Sequence, residues 1–142
     1  MSIRHILVAY DGSAPARRAL DFAAELAGPF HSALTLVYAI HVPIAPPEAA
    51  LAGWQEMLAT EERAGEALVE EAVQTMRRRG VKLGKRVVVG PPADQVAEAA
   101  TGADVDLVVA GATGKGALAR IFLGSVTTRL LHISPKPVLV VP

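Results

Sequence analysis

The sequence predicts an α/β fold of the doubly wound class, a five-stranded parallel sheet sandwiched between helices. Three observations carry that expectation. Apolar runs of strand length, at residues 6–10, 34–40 and 106–110, alternate with longer stretches whose apolar residues recur at helical spacing. Those runs are almost continuously apolar rather than alternating, as strands buried on both faces must be. Turn-forming residues stand at the switches: Asp11-Gly12-Ser13, Gly28-Pro29 and Gly90-Pro91-Pro92. Strand, helix, strand in regular succession implies right-handed crossovers and one parallel sheet covered on both sides.

The first strand, over residues 6–10, passes directly into a helix for which Ser13 is a candidate N-cap and Pro15 a tolerated first-turn residue. Ala16, Ala19, Leu20, Ala23, Ala24 and Ala27 mark its apolar face, and Gly28-Pro29 is expected to stop it. After a second strand over 34–40, residues 41–53 contain Pro43, Pro46 and Pro47 and read as a loop. A long helix over 54–79 follows, its face set by Trp54, Met57, Leu58, Ala64, Leu68, Ala72, Val73 and Met76. Glutamates in its early turns and Arg77-Arg78-Arg79 at its end suit the helix dipole. Gly80 ends it; a third strand is expected over 86–89, a short helix over 93–100 and a fourth strand over 106–110. The last helix reads over 125–132, stopped by Pro135, and the last strand over 137–141. There is no internal repeat, low-complexity tract or linker, so residues 1–142 form a single domain.

Composition narrows the function. With 142 residues, one fold must carry the site as well as the core. Fourteen basic residues balance fourteen acidic ones, so no net field draws the chain to nucleic acid or an acidic membrane. Cysteine is absent, which removes disulfides, thiolate ligands and thiol nucleophiles. The opening apolar run is too short for a signal-peptide core or a membrane span, and a soluble cytoplasmic protein is expected. His5, His31, His41 and His132 lack the spacing of a zinc site. No nucleophile, base and orienter constellation can be picked out, and Asp106 opens its strand at the end of the sheet away from the expected site.

The most specific motif lies after the fourth strand: Gly111, two residues, Gly114, nine residues, then Gly124-Ser125. A strand feeding a glycine loop that closes on a helix start is how a backbone cradles phosphate, because helix N-terminal N–H groups and the dipole attract anions. In doubly wound sheets ligands sit beyond the carboxyl ends of the strands at the topological switch point, where Asp11, Ile40 and Gly111 all fall. The first βα turn has one glycine where a dinucleotide turn needs three, and Gly111-Ala112-Thr113-Gly114-Lys115-Gly116 lacks the spacing and hydroxyl of a P-loop.

The opening Ile6-Leu7-Val8-Ala9-Tyr10-Asp11-Gly12-Ser13, the block 111–125 and the ending Ser134-Pro135-Lys136-Pro137-Val138-Leu139-Val140-Val141 together resemble universal stress proteins over the whole chain. The pattern G-x2-G-x9-G-[S/T] of that family's nucleotide-binding branch is complete here at Gly111, Gly114, Gly124 and Ser125. The resemblance implies strand order 3-2-1-4-5, a homodimer paired through antiparallel last strands, and ATP as ligand, with ADP or AMP as alternatives and Mg as a companion of the phosphates. It places Ala9, Asp11 and Ala39 at the base and ribose, and Ala110, Gly111, Gly114, Lys115, Gly124, Ser125, Val126 and Thr127 at the phosphates. Family loops often carry a hydroxyl residue and Arg between the first two glycines; here Ala112 and Thr113 stand there, so either Lys115 substitutes as the cation or the triphosphate is held more weakly.

Each position also has a plainer reading. Asp11 can serve its own turn, Ser125 can simply cap a helix, and Lys115 can be a solvated loop charge. The function expected is a nucleotide-dependent regulator in the stress response, acting on a partner protein and hydrolysing ATP slowly if at all. The rivals are a slow ATPase or self-phosphorylating protein using Ser125, Thr127 or Thr128, and a dimeric scaffold without nucleotide.

Overall fold

The computed structural model describes residues 2–41, 47–48, 51–102, 104–113 and 123–142. Five strands and four helices alternate: β1 (His5–Ala9), α1 (Ala14–Phe30), β2 (Ala33–Ile40), α2 (Leu51–Arg78), β3 (Leu83–Val89), α3 (Pro92–Ala99), β4 (Leu107–Gly111), α4 (Ser125–Ile133) and β5 (Val138–Val141). The sheet order is β3-β2-β1-β4-β5 and every neighbouring pair is parallel, as the resemblance implied.

The central strand shows why the strands are apolar throughout. Ile6 and Val8 pack with α1 and α2 on one face, while Leu7 points to the opposite face with α3 and α4. All three are at most 1% exposed, so neither face of β1 reaches water. The alanines of α1, with Leu20, keep that helix close to the sheet, and α2 adds Val69, Val73 and Met76 beside it. The second layer is smaller: α3 contributes Ala93, Val96, Ala97 and Ala99, and α4 mainly Leu130.

Several expected boundaries move, for identifiable reasons. Gly28-Pro29 does not stop α1, which runs on to Phe30 and closes at His31 in the left-handed region, φ 53°. A proline in the last turn forfeits one helical hydrogen bond only. The end is then closed by the N–H of His31 on the Gly28 carbonyl (3.1 Å) and that of Ser32 on the Ala27 carbonyl (3.0 Å). β3 begins at Leu83 rather than 86, because Leu83 is buried opposite Leu34 and Gly84 pairs with Thr35.

α2 begins at Leu51, inside the stretch read as loop, and its first turn has no acidic residue; Arg77 and Arg78 do occupy the last turn. The rest of the expected loop lies partly outside the described residues. Its buried stripe is Gly65, Val69, Ala72, Val73 and Met76, whereas Ala64 and Met57 are exposed. Length explains the difference. Twenty-eight helical residues span about 42 Å, and the eight residues of β2 span about 26 Å. The amino-terminal half of α2 therefore projects past the sheet.

Candidate functional site

The strand order reverses at β1. Its crossovers lead to β2 on one side, while β4 joins it on the other, so a crevice opens beyond the carboxyl ends of β1 and β4. The β1–α1 turn forms one lip. Gly12 sits there at φ 78°, a conformation that strains any side chain, and a Cβ would also press on Leu68 of α2 at 3.3 Å. Asp11 Oδ1 accepts the Ser13 N–H at 2.9 Å, and Ser13 Oγ accepts that of Ala16 at 3.3 Å, so the predicted N-cap holds. The turn-bracing role weighed for Asp11 is thus present, while its exposed carboxylate keeps further acceptor capacity.

Ala9 and Ala39 lie at the carboxyl ends of adjacent strands, on the face packed by α3 and α4, and both are half-buried. Ala9 stands opposite Val37, so Ala39 lies two residues further along β2 on the same face, and the two methyl groups make a low, diagonal apolar floor. Ala110 is buried in that same layer and supports it from β4.

Gly111 has a role that spacing could not reveal. A Cβ there would lie 2.8 to 2.9 Å from the backbone and ring of Pro15, so glycine lets the first turn of α1 rest on the end of β4. Thr127, 5% exposed, donates its hydroxyl to the Gly111 carbonyl at 2.7 Å. The Gly124 N–H reaches the Ala112 carbonyl at 2.8 Å, and the Ala112 N–H reaches Val141 at 2.8 Å. Both ends of the glycine loop are therefore pinned together at the sheet edge. Gly114 and Lys115 lie outside the described residues.

This pinning sets the start of α4 beside the end of β4. Gly124 is the N-cap without a side-chain cap bond, and the first helical bond runs from the Thr128 N–H to the Gly124 carbonyl at 2.9 Å. The N–H groups of Ser125, Val126 and Thr127 come before that bond and have no partner among the described residues, with Ser125 and Val126 exposed. Three donors at the positive end of a helix dipole fit a phosphate. Arg129 secures the helix laterally: its Nη2 and Nε meet Asp94 of α3 at 2.7 and 3.2 Å. That fork holds the Asp94 carboxyl below its ordinary range and raises the Arg129 guanidinium.

Tyr38 is a further neighbour that periodicity did not mark. Its ring lies where a Cβ on Gly65 would come within 2.7 Å, which ties β2 to α2. Burial, then the negative charges of Glu61 and Asp11, raise its phenol above the ordinary 10.0, so the hydroxyl stays protonated near Asp11. Asp106 falls at the far end of the sheet as expected, accepting the N–H groups of Arg4 (2.7 Å) and His5 (3.2 Å). Among the described residues no group of three His, Asp or Glu is placed to hold a metal ion, and no helix is long and apolar enough to cross a membrane.

This arrangement has close counterparts. The universal stress protein family model matches residues 2–142. Universal stress protein MJ0531 of Methanocaldococcus jannaschii is 30% identical over 138 residues, covering 97% of this chain and 81% of that protein. The structure of universal stress protein UspA from Lactobacillus plantarum, 24% identical, shares the fold with a TM-score of 0.89 over 100% of this chain and 99% of that one. A universal stress protein solved in complex with cAMP is 26% identical, with a TM-score of 0.62 over 99% of this chain and 98% of its own. Sequence, strand order and fold agree along essentially the full length, and the chain belongs to the universal stress protein family.

Proposed function

We propose that the protein binds ATP in the β1–β4 crevice and uses its occupancy to regulate a partner protein in the stress response, working in the cytoplasm as a homodimer paired through β5. The observation that carries this reading is the uncapped start of α4, with the N–H groups of Ser125, Val126 and Thr127 held beside the end of β4. These groups would hold phosphate oxygens, together with the Ser125 hydroxyl and, from the loop between, Gly114 and Lys115. Thr127 would contribute its N–H alone, since its hydroxyl is engaged by Gly111. Ala9 and Ala39 would floor the base, and Asp11 would accept a ribose hydroxyl. The relative solved with cAMP supports an adenine nucleotide as the ligand class.

Bound nucleotide would supply negative charge at the start of α4 and order the surface around the pinned ends of the glycine loop. That ordering gives a partner two distinct surfaces to tell apart. Hydrolysis is expected to be slow, because Asp11, the acidic group in the β1–α1 turn, already braces that turn. Ser125 and Thr128 are the exposed hydroxyls at the phosphate end and the acceptors to inspect for self-phosphorylation.

Calorimetry on nucleotide-free protein titrated with Mg-ATP and then AMP tests the proposal. Micromolar ATP binding, weakened in Ser125→Pro and Asp11→Ala, is the expected result. Absence of heat from folded protein at millimolar ATP would replace it with the scaffold reading.

A further inference from the structure

A second cavity, of about 490 Å³, opens at the amino ends of the strands, at the other end of the sheet from the crevice. It exists because α3 is only eight residues long and leaves the first halves of β2 and β3 uncovered on its face. Thr35, Gly84 and Arg86 line it there. Thr35 and Arg86 share the strand parity of Val37 and Val88, which pack in the α3 layer. A Cβ on Gly84 would sit 3.0 Å from Thr35 Oγ1, so glycine keeps one flank of that hydroxyl open.

His5 fixes what the hydroxyl can do. Its Nδ1 lies 3.2 Å from Asp104 Oδ2 and its Nε2 lies 2.9 Å from Thr35 Oγ1. An ionised carboxylate only accepts, so in neutral His5 the proton is on Nδ1 and Nε2 accepts the Thr35 O–H. Thr35 Oγ1 is left with its lone pairs as an acceptor toward the cavity. Residues 5, 35 and 104 come from three segments, which is why linear reading found no such constellation.

Four charged residues line the cavity, Lys85, Arg86, Glu98 and Asp104; Asp104 is engaged by His5. Arg86 on β3 and Glu98 on α3 have no ion-pair partner among the described residues, whereas Lys85, which also lines the cavity, has its ammonium paired with Glu70 of α2 at 3.1 Å. A ligand that matches a lone cation, a lone anion and a neutral acceptor must itself carry both charges. The volume is within the range of small-molecule sites.

We propose that this cavity binds a small zwitterion of the α-amino acid class, its carboxylate on Arg86 and its ammonium shared by Glu98 and Thr35. His5 and Asp104 are positioning residues that hold Thr35 as an acceptor. The site is independent of the nucleotide crevice, so its test is run with ATP saturating.

Amide-resolved NMR of the full chain, titrated with each of a panel of free L-amino acids, measures it. For the amino acid that binds, saturable shifts at Thr35, Arg86 and Glu98 are expected, with a Kd at or below about 1 mM. Blocking its amine by acetylation or its carboxylate as the amide should each weaken binding at least about tenfold, as should Arg86→Gln and Glu98→Gln. Lys85→Gln should leave it unchanged, and Thr35→Val, near-isosteric, should lose affinity while keeping the wild-type spectrum elsewhere. The proposal is overturned if no amino acid gives saturable shifts, if the blocked forms bind equally, or if the shifts fall at residues 9–13 and 124–127 instead.

Discussion

Thr127 shows how much of the candidate site hangs on one hydroxyl. It is the buried polar residue among the described positions, and its bond to the Gly111 carbonyl is the side-chain link between β4 and the helix that follows. Thr127→Val keeps the shape and removes the donor, leaving a part-buried carbonyl without that partner. A loss of about 1 to 2 kcal/mol in urea unfolding is expected, with nucleotide affinity falling as the start of α4 loosens; unchanged stability would show the bond to be dispensable. Asp106 makes a prediction of a different kind. The N–H of Arg4, chiefly, lowers its pKa below the ordinary 3.8, with His5 N–H and the Arg4 and Lys136 charges adding to this against a desolvation cost. The folded carboxylate thus stays charged at a pH where the unfolded one has taken a proton. Its stabilisation is complete above the unfolded value and is lost as pH falls through the lower folded value. Asp106→Ala should therefore be less stable than wild type at pH 7, the gap closing as pH drops below about 4. A gap that stayed constant down to pH 2 would refute the assignment.

At the scale of elements, α2 is where linear reading and structure part most. The expected apolar face had the right period and the right carboxyl half, including Ala72, Val73 and Met76. It missed Val69 and Gly65 and extended the face over Met57 and Ala64, because periodicity cannot tell where a helix outruns its sheet. The consequence is measurable in hydrogen exchange. Amides from 53 to 62 should exchange at least about tenfold faster than those from 69 to 76, whose helix surface is sealed by the core. Uniform protection along α2 would mean that something covers the overhang. Much of the candidate site was legible by contrast, since Gly12, the Ser13 cap and the start of α4 at Ser125 are signalled by local chemistry that needs no distant partner. What escaped was long-range: Pro15 against Gly111, Tyr38 between Gly65 and Asp11, the Asp94–Arg129 fork, and His5 between Thr35 and Asp104. Each joins segments that only the folded sheet brings together.

The whole molecule leaves one edge strand with an apolar sequence. β5 pairs with β4 alone among the described residues, and the register decides which of its groups face outward. The carbonyls of Pro137 and Val141 accept bonds from Val108 (2.9 Å) and Ala112 (2.8 Å), so the odd-numbered residues point their backbone groups at β4. The N–H and C=O of Val138 and Val140 therefore point away from it. An unpaired apolar edge of this kind invites pairing with another chain, and a two-fold axis beside it would let two copies of β5 satisfy each other antiparallel. The proposed dimer then depends on a donor that contributes nothing to the fold of the single chain. Val140→Pro removes that donor, leaves the ladder to β4 intact and keeps an extended backbone. Sedimentation velocity at about 10 μM, a concentration where a specific dimer of this kind persists, should give wild type at twice the 14.8 kDa chain mass and the variant at the single mass with unchanged circular dichroism. A wild-type monomer, or a variant that stays dimeric, would move the interface elsewhere on the surface and leave the β5 edge to a different partner.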